Sequence, residues 1–91
     1  MKARLVRVRG RVQGVGYRDW LLEQAAANGL SGWVRNRADG SVEALLCGEE
    51  AAVRDVLSAC RRGPAPARVD TLEESFAEAP PEPGFTRRPT L

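Results

Sequence analysis

Arg4-Leu5-Val6-Arg7-Val8-Arg9, then Gly10-Arg11-Val12-Gln13-Gly14-Val15-Gly16, then Tyr17-Arg18-Asp19-Trp20-Leu21-Leu22 is the stretch that decides the fold. Val6 and Val8 point to one side and Arg7 and Arg9 to the other, the alternation of a strand with one wet face. The glycines from Gly10 to Gly16 punctuate a loop. Tyr17 to Asn28 then carries Leu21, Leu22, Ala25 and Ala26 as an apolar helical stripe. Asn28-Gly29 closes this helix, because glycine tolerates the left-handed conformation that helix ends favour.

Working outward, Gly32 to Arg37 and Ser41 to Cys47 flank the turn Ala38-Asp39-Gly40 and predict a β-hairpin. A second helix is expected from Glu49 to Arg62, with Ala52, Val53, Val56, Leu57 and Cys60 inward. Its acids stand at the start and its bases at the end, as the helix dipole favours. Gly63-Pro64 stops it, Arg68 to Phe76 reads as a strand, and a proline-rich loop from Ala79 to Gly84 precedes a short closing strand at Phe85. The order β-α-β-β-α-β predicts an α/β (α+β) ferredoxin-like sandwich, an antiparallel sheet with two helices on one face and the other face open. That architecture hosts RNA binders, metal chaperones and enzymes alike, so function has to be read from a site.

The 91 residues suit one domain spanning 1–91, and 43% hydrophobic with 29% charged residues is the balance of an ordinary soluble globule. Apolar runs fall far short of the ~20 residues that span a bilayer, so no membrane segment is expected. Met1-Lys2-Ala3-Arg4 leads straight into the first strand without a signal-peptide core, which places the protein in the cytoplasm, and a monomer is expected. With only Cys47 and Cys60 and no histidine, neither a zinc site, a Cys-x-x-Cys redox pair nor Ser-His-Asp chemistry can be built. Both cysteines read as buried thiols, and no metal or cofactor is expected. Net charge is +2, yet residues 1–37 hold eight Lys or Arg against Asp19 and Glu23. Such an excess suggests an anionic ligand, phosphate or nucleic acid, which charge alone does not separate.

The junction Gly10 to Arg18 passes from strand to helix, where unpaired backbone N–H groups and the helix dipole favour an anion. Gly14 and Gly16 allow the backbone to curl into a nest. The Gly-Lys-Ser/Thr ending of a nucleotide loop is absent, and so is the third glycine of a dinucleotide site. Arg18 in the first helical turn is disfavoured by the dipole unless an anion is present, and its planar fork suits two phosphate oxygens. A tight turn followed by a solvated arginine is the alternative. Asn36 near a strand end is either a turn-flanking residue or a placed amide that can orient a water.

Gly10-x-Val12-Gln13-Gly14-Val15-x-Tyr17-Arg18 resembles the first signature of the acylphosphatase family. Gly32-Trp33-Val34-Arg35-Asn36-x-x-x-Gly40-x-Val42, followed by Gly48, resembles its second, and the likeness runs over almost the whole chain. The resemblance implies that the backbone of Gln13, Gly14, Val15, Gly16, Tyr17 and Arg18 cradles the phosphate of a small acyl phosphate. It further implies that Arg18 ligates that phosphate and Asn36 holds the attacking water, with carboxylate and inorganic phosphate as products. Two departures stand out: Arg87 occupies an expected aliphatic position in the last strand, and Pro89 interrupts any ladder there, so that strand should be short. Gly16 falls where the family tolerates many residues.

Trp20 and Trp33 read as packing groups, Asp19 and Asp39 as first-turn and hairpin-turn residues, and Glu43 as an ordinary strand position. Arg35 and Arg37 are either solvated or steer anions toward the site. An RNA-binding role is disfavoured because strands one and three lack the aromatics on which bases stack, so neither nucleic acid nor membrane is an expected partner.

Overall fold

The computed structural model describes residues 3–79 and 82–91. Met1, Lys2, Pro80 and Pro81, including the centre of the proline-rich loop, lie outside the described residues. The elements are β1 (Ala3–Arg11), α1 (Tyr17–Ala27), β2 (Ser31–Asn36), β3 (Val42–Cys47), α2 (Glu50–Arg62), β4 (Arg68–Ala77) and β5 (Phe85–Arg87). They form one sheet in the order β4-β1-β3-β2-β5. The pairs β1–β3, β1–β4 and β2–β3 are antiparallel as the sequence predicts. The sheet as a whole is mixed, because the short β5 joins the far edge parallel to β2.

β1 runs two residues beyond its alternating pattern by means of a bulge between Arg9 and Gly10. Gly10 is required there: its φ is 132°, and a Cβ would sit 2.2 Å from the carbonyl oxygen of Arg68. Both helices cover one face, where Val6, Val8, Val34 and Leu46 meet Leu21 and Ala25 of α1 and Val53, Val56 and Leu57 of α2. Of the stripe expected on α1, Leu22 is only partly buried and Ala26 is exposed. The buried row is Tyr17, Leu21 and Ala25, the i, i+4 line that includes the tyrosine. Cys47 and Cys60 are free and buried, as expected.

The other face is less open than a one-sided sheet implies. Ala3, Trp33, Leu45 and Cys47 form a second small cluster on it. The guanidinium groups of Arg35 and Arg88 lie 4.6 and 4.8 Å from the Trp33 ring. Glu43, unremarkable in the sequence, is buried here and receives Arg35 at 2.8 Å, Arg7 at 3.1 Å and Arg37 at 3.4 Å. Central position explains this: β3 has a strand on each side, so its polar residues are covered by the long side chains of its neighbours.

Candidate active site

The β1–α1 loop turns through two left-handed glycines, Gly14 (φ 72°) and Gly16 (φ 81°). A Cβ at either would meet nothing within 4 Å, so the requirement is conformational rather than one of space. Gly16 is the N-cap residue immediately before α1, and Trp20 N–H donates to its carbonyl at 3.0 Å. Among the described residues, the N–H groups of Gly14 to Asp19 donate to no backbone carbonyl. Unpaired N–H groups in the first turn of a helix, at the positive end of its dipole, are groups to which an anion can bind.

Tyr17 anchors this end. Its hydroxyl donates to the carbonyl oxygen of Cys60 at 2.7 Å, in the last turn of α2, and its ring meets Trp20 edge-on at 5.3 Å. Burial, together with its contact with Cys60, holds the phenol above its ordinary ionisation range. The Cys60 thiol is pushed up to about 11 by burial, against the lowering effect of the tyrosine hydroxyl.

Asn36 is the last residue of β2. Strand alternation puts it on the helix-covered side with Val34, while Arg35 and Arg37 face Glu43 on the other side. The sequence alternative that Arg35 and Arg37 are merely solvated therefore gives way to ion pairing. The Asn36 backbone carbonyl accepts from Leu91 N–H at 3.1 Å. Its side-chain Oδ1 is buried, and no donor among the described residues reaches it.

A feature invisible in the sequence joins loop and hairpin. The Gln13 side-chain amide donates to the carbonyl oxygens of Arg37 at 2.8 Å and Ser41 at 2.9 Å. The turn beneath is closed by Asp39, whose Oδ1 accepts from Ser41 N–H at 2.9 Å and Ser41 Oγ at 2.6 Å. These bonds, with Arg9 beside them, hold the Asp39 carboxyl well below the usual carboxylate range.

Between loop and strand lies a pocket of about 90 Å³ lined by Val12, Gly14, Gly16, Tyr17, Arg18, Asp19, Asn36 and Arg87. It is far below the ~300–1,000 Å³ of sites that enclose a drug-sized ligand, and its scale is that of a phosphoryl group with a water. Of the residues singled out from the sequence, Gly14, Gly16, Tyr17, Arg18 and Asn36 meet there. Gln13 and Val15 are not in the lining: Gln13 binds the hairpin, and Val15 packs on the core. Arg18 makes no hydrogen bond or ion pair among the described residues, whereas Arg87 bonds to Asp19 Oδ1 at the same pocket. Neither Arg87 nor Asp19 was a candidate from the sequence. The only signal was that Arg87 stood where an aliphatic residue was expected.

A larger cavity of about 340 Å³ lies on the opposite face, lined by Leu5, Arg7, Arg9, Glu43, Glu73, Glu74 and Ser75. Its lining sets Glu43, Glu73 and Glu74 against Arg7 and Arg9, both already paired with carboxylates, so its charge disfavours an anion. Among the described residues no three His, Cys, Asp or Glu gather as metal ligands, and no helix is long and apolar enough to cross a membrane.

Fold and pocket together define a small ferredoxin-like α+β protein with a phosphoryl-sized pocket lined by Arg18 and Asn36. The acylphosphatase family model matches residues 4–87. An acylphosphatase of Rhodospirillum rubrum is 58% identical over 91 residues, covering 100% of both chains. One of Rhodopseudomonas palustris (strain BisB5) is 66% identical over 78 residues, covering 84% of this chain and 79% of its own. The crystal structure of acylphosphatase from Bacillus subtilis superimposes with a TM-score of 0.91 at 32% identity, over 97% of this chain and 99% of that one. The chain belongs to the acylphosphatase family. Its activity is hydrolysis of the carboxyl-phosphate bond of acyl phosphates, releasing a carboxylate and inorganic phosphate.

Proposed function

We propose that this hydrolysis takes place in the pocket between the β1–α1 loop and Asn36, in a monomeric, cytoplasmic, single-domain enzyme. The observation that carries the assignment is the meeting at one small pocket of Arg18, which is without a hydrogen-bond or ion-pair partner among the described residues, and the buried Asn36 Oδ1, which no donor among them reaches. Arg18 and the N–H groups of the loop and first helical turn hold the phosphoryl oxygens. A guanidinium fork takes two oxygens at once, and fixed donors require no reorganisation as charge develops. Asn36 Oδ1 accepts a hydrogen bond from a water, which turns the water's lone pair toward phosphorus.

The step balances without further groups. Water forms the new P–O bond while the bond between phosphorus and the acyl oxygen breaks. The electron pair leaves on the carboxylate, and the water's proton passes to phosphate oxygen or solvent. A carboxylate leaving group, whose conjugate acid has a pKa of about 4, needs no general acid at neutral pH, which suits a chain without histidine. The phosphoryl group passes through a loose transition state, so positioning and charge stabilisation constitute most of the catalysis. Nucleic acid is a poor alternative ligand, because the arginines of the open face are committed to Glu43, Asp39 and Glu73.

Arg18→Ala should lower kcat/KM on acetyl phosphate by about 2.7–4 kcal/mol and weaken inhibition by inorganic phosphate. Asn36→Ala should lower kcat while phosphate still inhibits, with little change in Tm, since its side chain makes no hydrogen bond within the described residues. Unchanged phosphate inhibition in the first variant, or full turnover in the second, refutes the assigned role.

A further inference from the structure

With the phosphoryl group and water placed as proposed above, a pocket of about 90 Å³ leaves little room for the acyl half of the substrate, which then extends across the rim. Arg87 stands there. It is the last residue of β5, opposite Val34 of β2, which brings it beside the strand end that carries Asn36. Its guanidinium donates to Asp19, yet the side chain is 43% exposed, so N–H groups of the fork remain available to solvent. The other polar groups of the lining are committed elsewhere: the Tyr17 hydroxyl to Cys60, and, in the assignment above, Arg18 to phosphate and Asn36 to water.

We propose that Arg87 is a specificity-determining residue that pairs with a negative charge on the acyl half of the substrate, so that acyl phosphates bearing an anionic acyl substituent are favoured over neutral ones. This rests on the phosphoryl group lying against Arg18. In the free protein Asp19 neutralises Arg87 and keeps it at the rim; an anionic substituent shares or takes over the fork. Because the pair is solvent-exposed, its effect should be modest and sensitive to salt.

The test compares kcat/KM on benzoyl phosphate and 3-carboxybenzoyl phosphate, each divided by its uncatalysed hydrolysis rate. We expect the ratio of carboxylated to plain substrate to fall about three- to fivefold in Arg87→Gln, to recover partly in Arg87→Lys, and to rise in Asp19→Asn. The difference between unaltered protein and Arg87→Gln should shrink in 1 M NaCl, where the Debye length is about 3 Å. An unchanged ratio in Arg87→Gln, or an equal loss on both substrates, overturns the proposal, as does a ratio unmoved or lowered by Asp19→Asn. Arg18→Ala is assayed in parallel: undiminished turnover of benzoyl phosphate there brings down the site assignment itself. An inactive Arg18→Ala beside an unchanged Arg87→Gln ratio brings down only the present inference.

Discussion

Replacing Gln13 by leucine keeps a side chain of similar size and removes the amide that joins the phosphate loop to the β2–β3 hairpin. Two hydrogen bonds disappear, at 2.8 Å to Arg37 O and 2.9 Å to Ser41 O. Neither carbonyl is orphaned, because Arg37 O still accepts from Gly40 N–H and Ser41 O from Arg37 N–H. The loss is therefore that of two ordinary hydrogen bonds, about 0.5–1.5 kcal/mol each, without an added penalty for stranded acceptors. A total of about 2 kcal/mol in a domain of this size lowers Tm by about 8–16 °C. Differential scanning calorimetry measures that shift directly. A second consequence separates a clamp from a passive contact: with loop and hairpin untied, Arg18 and Asn36 lose their fixed spacing, and kcat should fall together with phosphate affinity. Gln13→Glu should be worse than leucine, since a carboxylate cannot donate to two carbonyls and repels a phosphate. A leucine variant melting within about 2 °C of the unaltered protein, with unchanged kcat, refutes the clamp.

Glu43→Gln should cost about 2–3 kcal/mol in urea unfolding, below the ~3–5 kcal/mol of a fully buried broken pair because the three arginines are partly exposed. Burial pushes the Glu43 carboxyl up, but hydrogen bonds from Arg35 and Arg7 outweigh it and leave the net value lowered. Its stabilisation is thus complete above the unfolded value of about 4.3 and is lost as pH falls through the folded one. The variant should show a shallower loss of Tm between pH 5 and 3, and identical slopes contradict this. Tyr17→Phe should cost about 1 kcal/mol in the same urea assay by removing the bond to Cys60 O, and an unchanged midpoint counts against it. Tyr17 is the only tyrosine, and its folded ionisation is raised, so its stabilising effect is present below about pH 10 and lost as pH rises further. Phenolate absorbance should consequently appear together with unfolding, and a normal titration in the folded protein contradicts the burial assigned to it.

The parts of this molecule that are legible in the sequence are those governed by local periodicity. Val6 and Val8 against Arg7 and Arg9, the glycine loop, and the row from Val53 to Cys60 each state their own geometry within a few residues. The meeting of Arg18 with Asn36 was readable because two motifs carried it. What escaped were contacts between residues distant in the chain. Gln13 reaches the carbonyls of Arg37 and Ser41, Arg87 reaches Asp19, and Leu91 pairs with Asn36. No periodicity encodes such partners, since they depend on how β5 and the β2–β3 turn come to lie beside α1. The burial of Glu43 escaped for a related reason: an alternating strand reports two faces, not that flanking strands will cover both.

β4 is the ten-residue outer strand of the sheet, and its outward backbone groups could serve as a template for a strand from another molecule. Arg68, Asp70, Glu73 and Glu74 line it, with Glu73 held by Arg9 and Glu74 by Arg4. Recruiting a foreign strand would mean stripping water from these charges or pulling the pairs apart. Ion pairs that add little to folding stability thereby act as gatekeepers of colloidal behaviour, and it is through aggregation rather than unfolding that their loss would be felt.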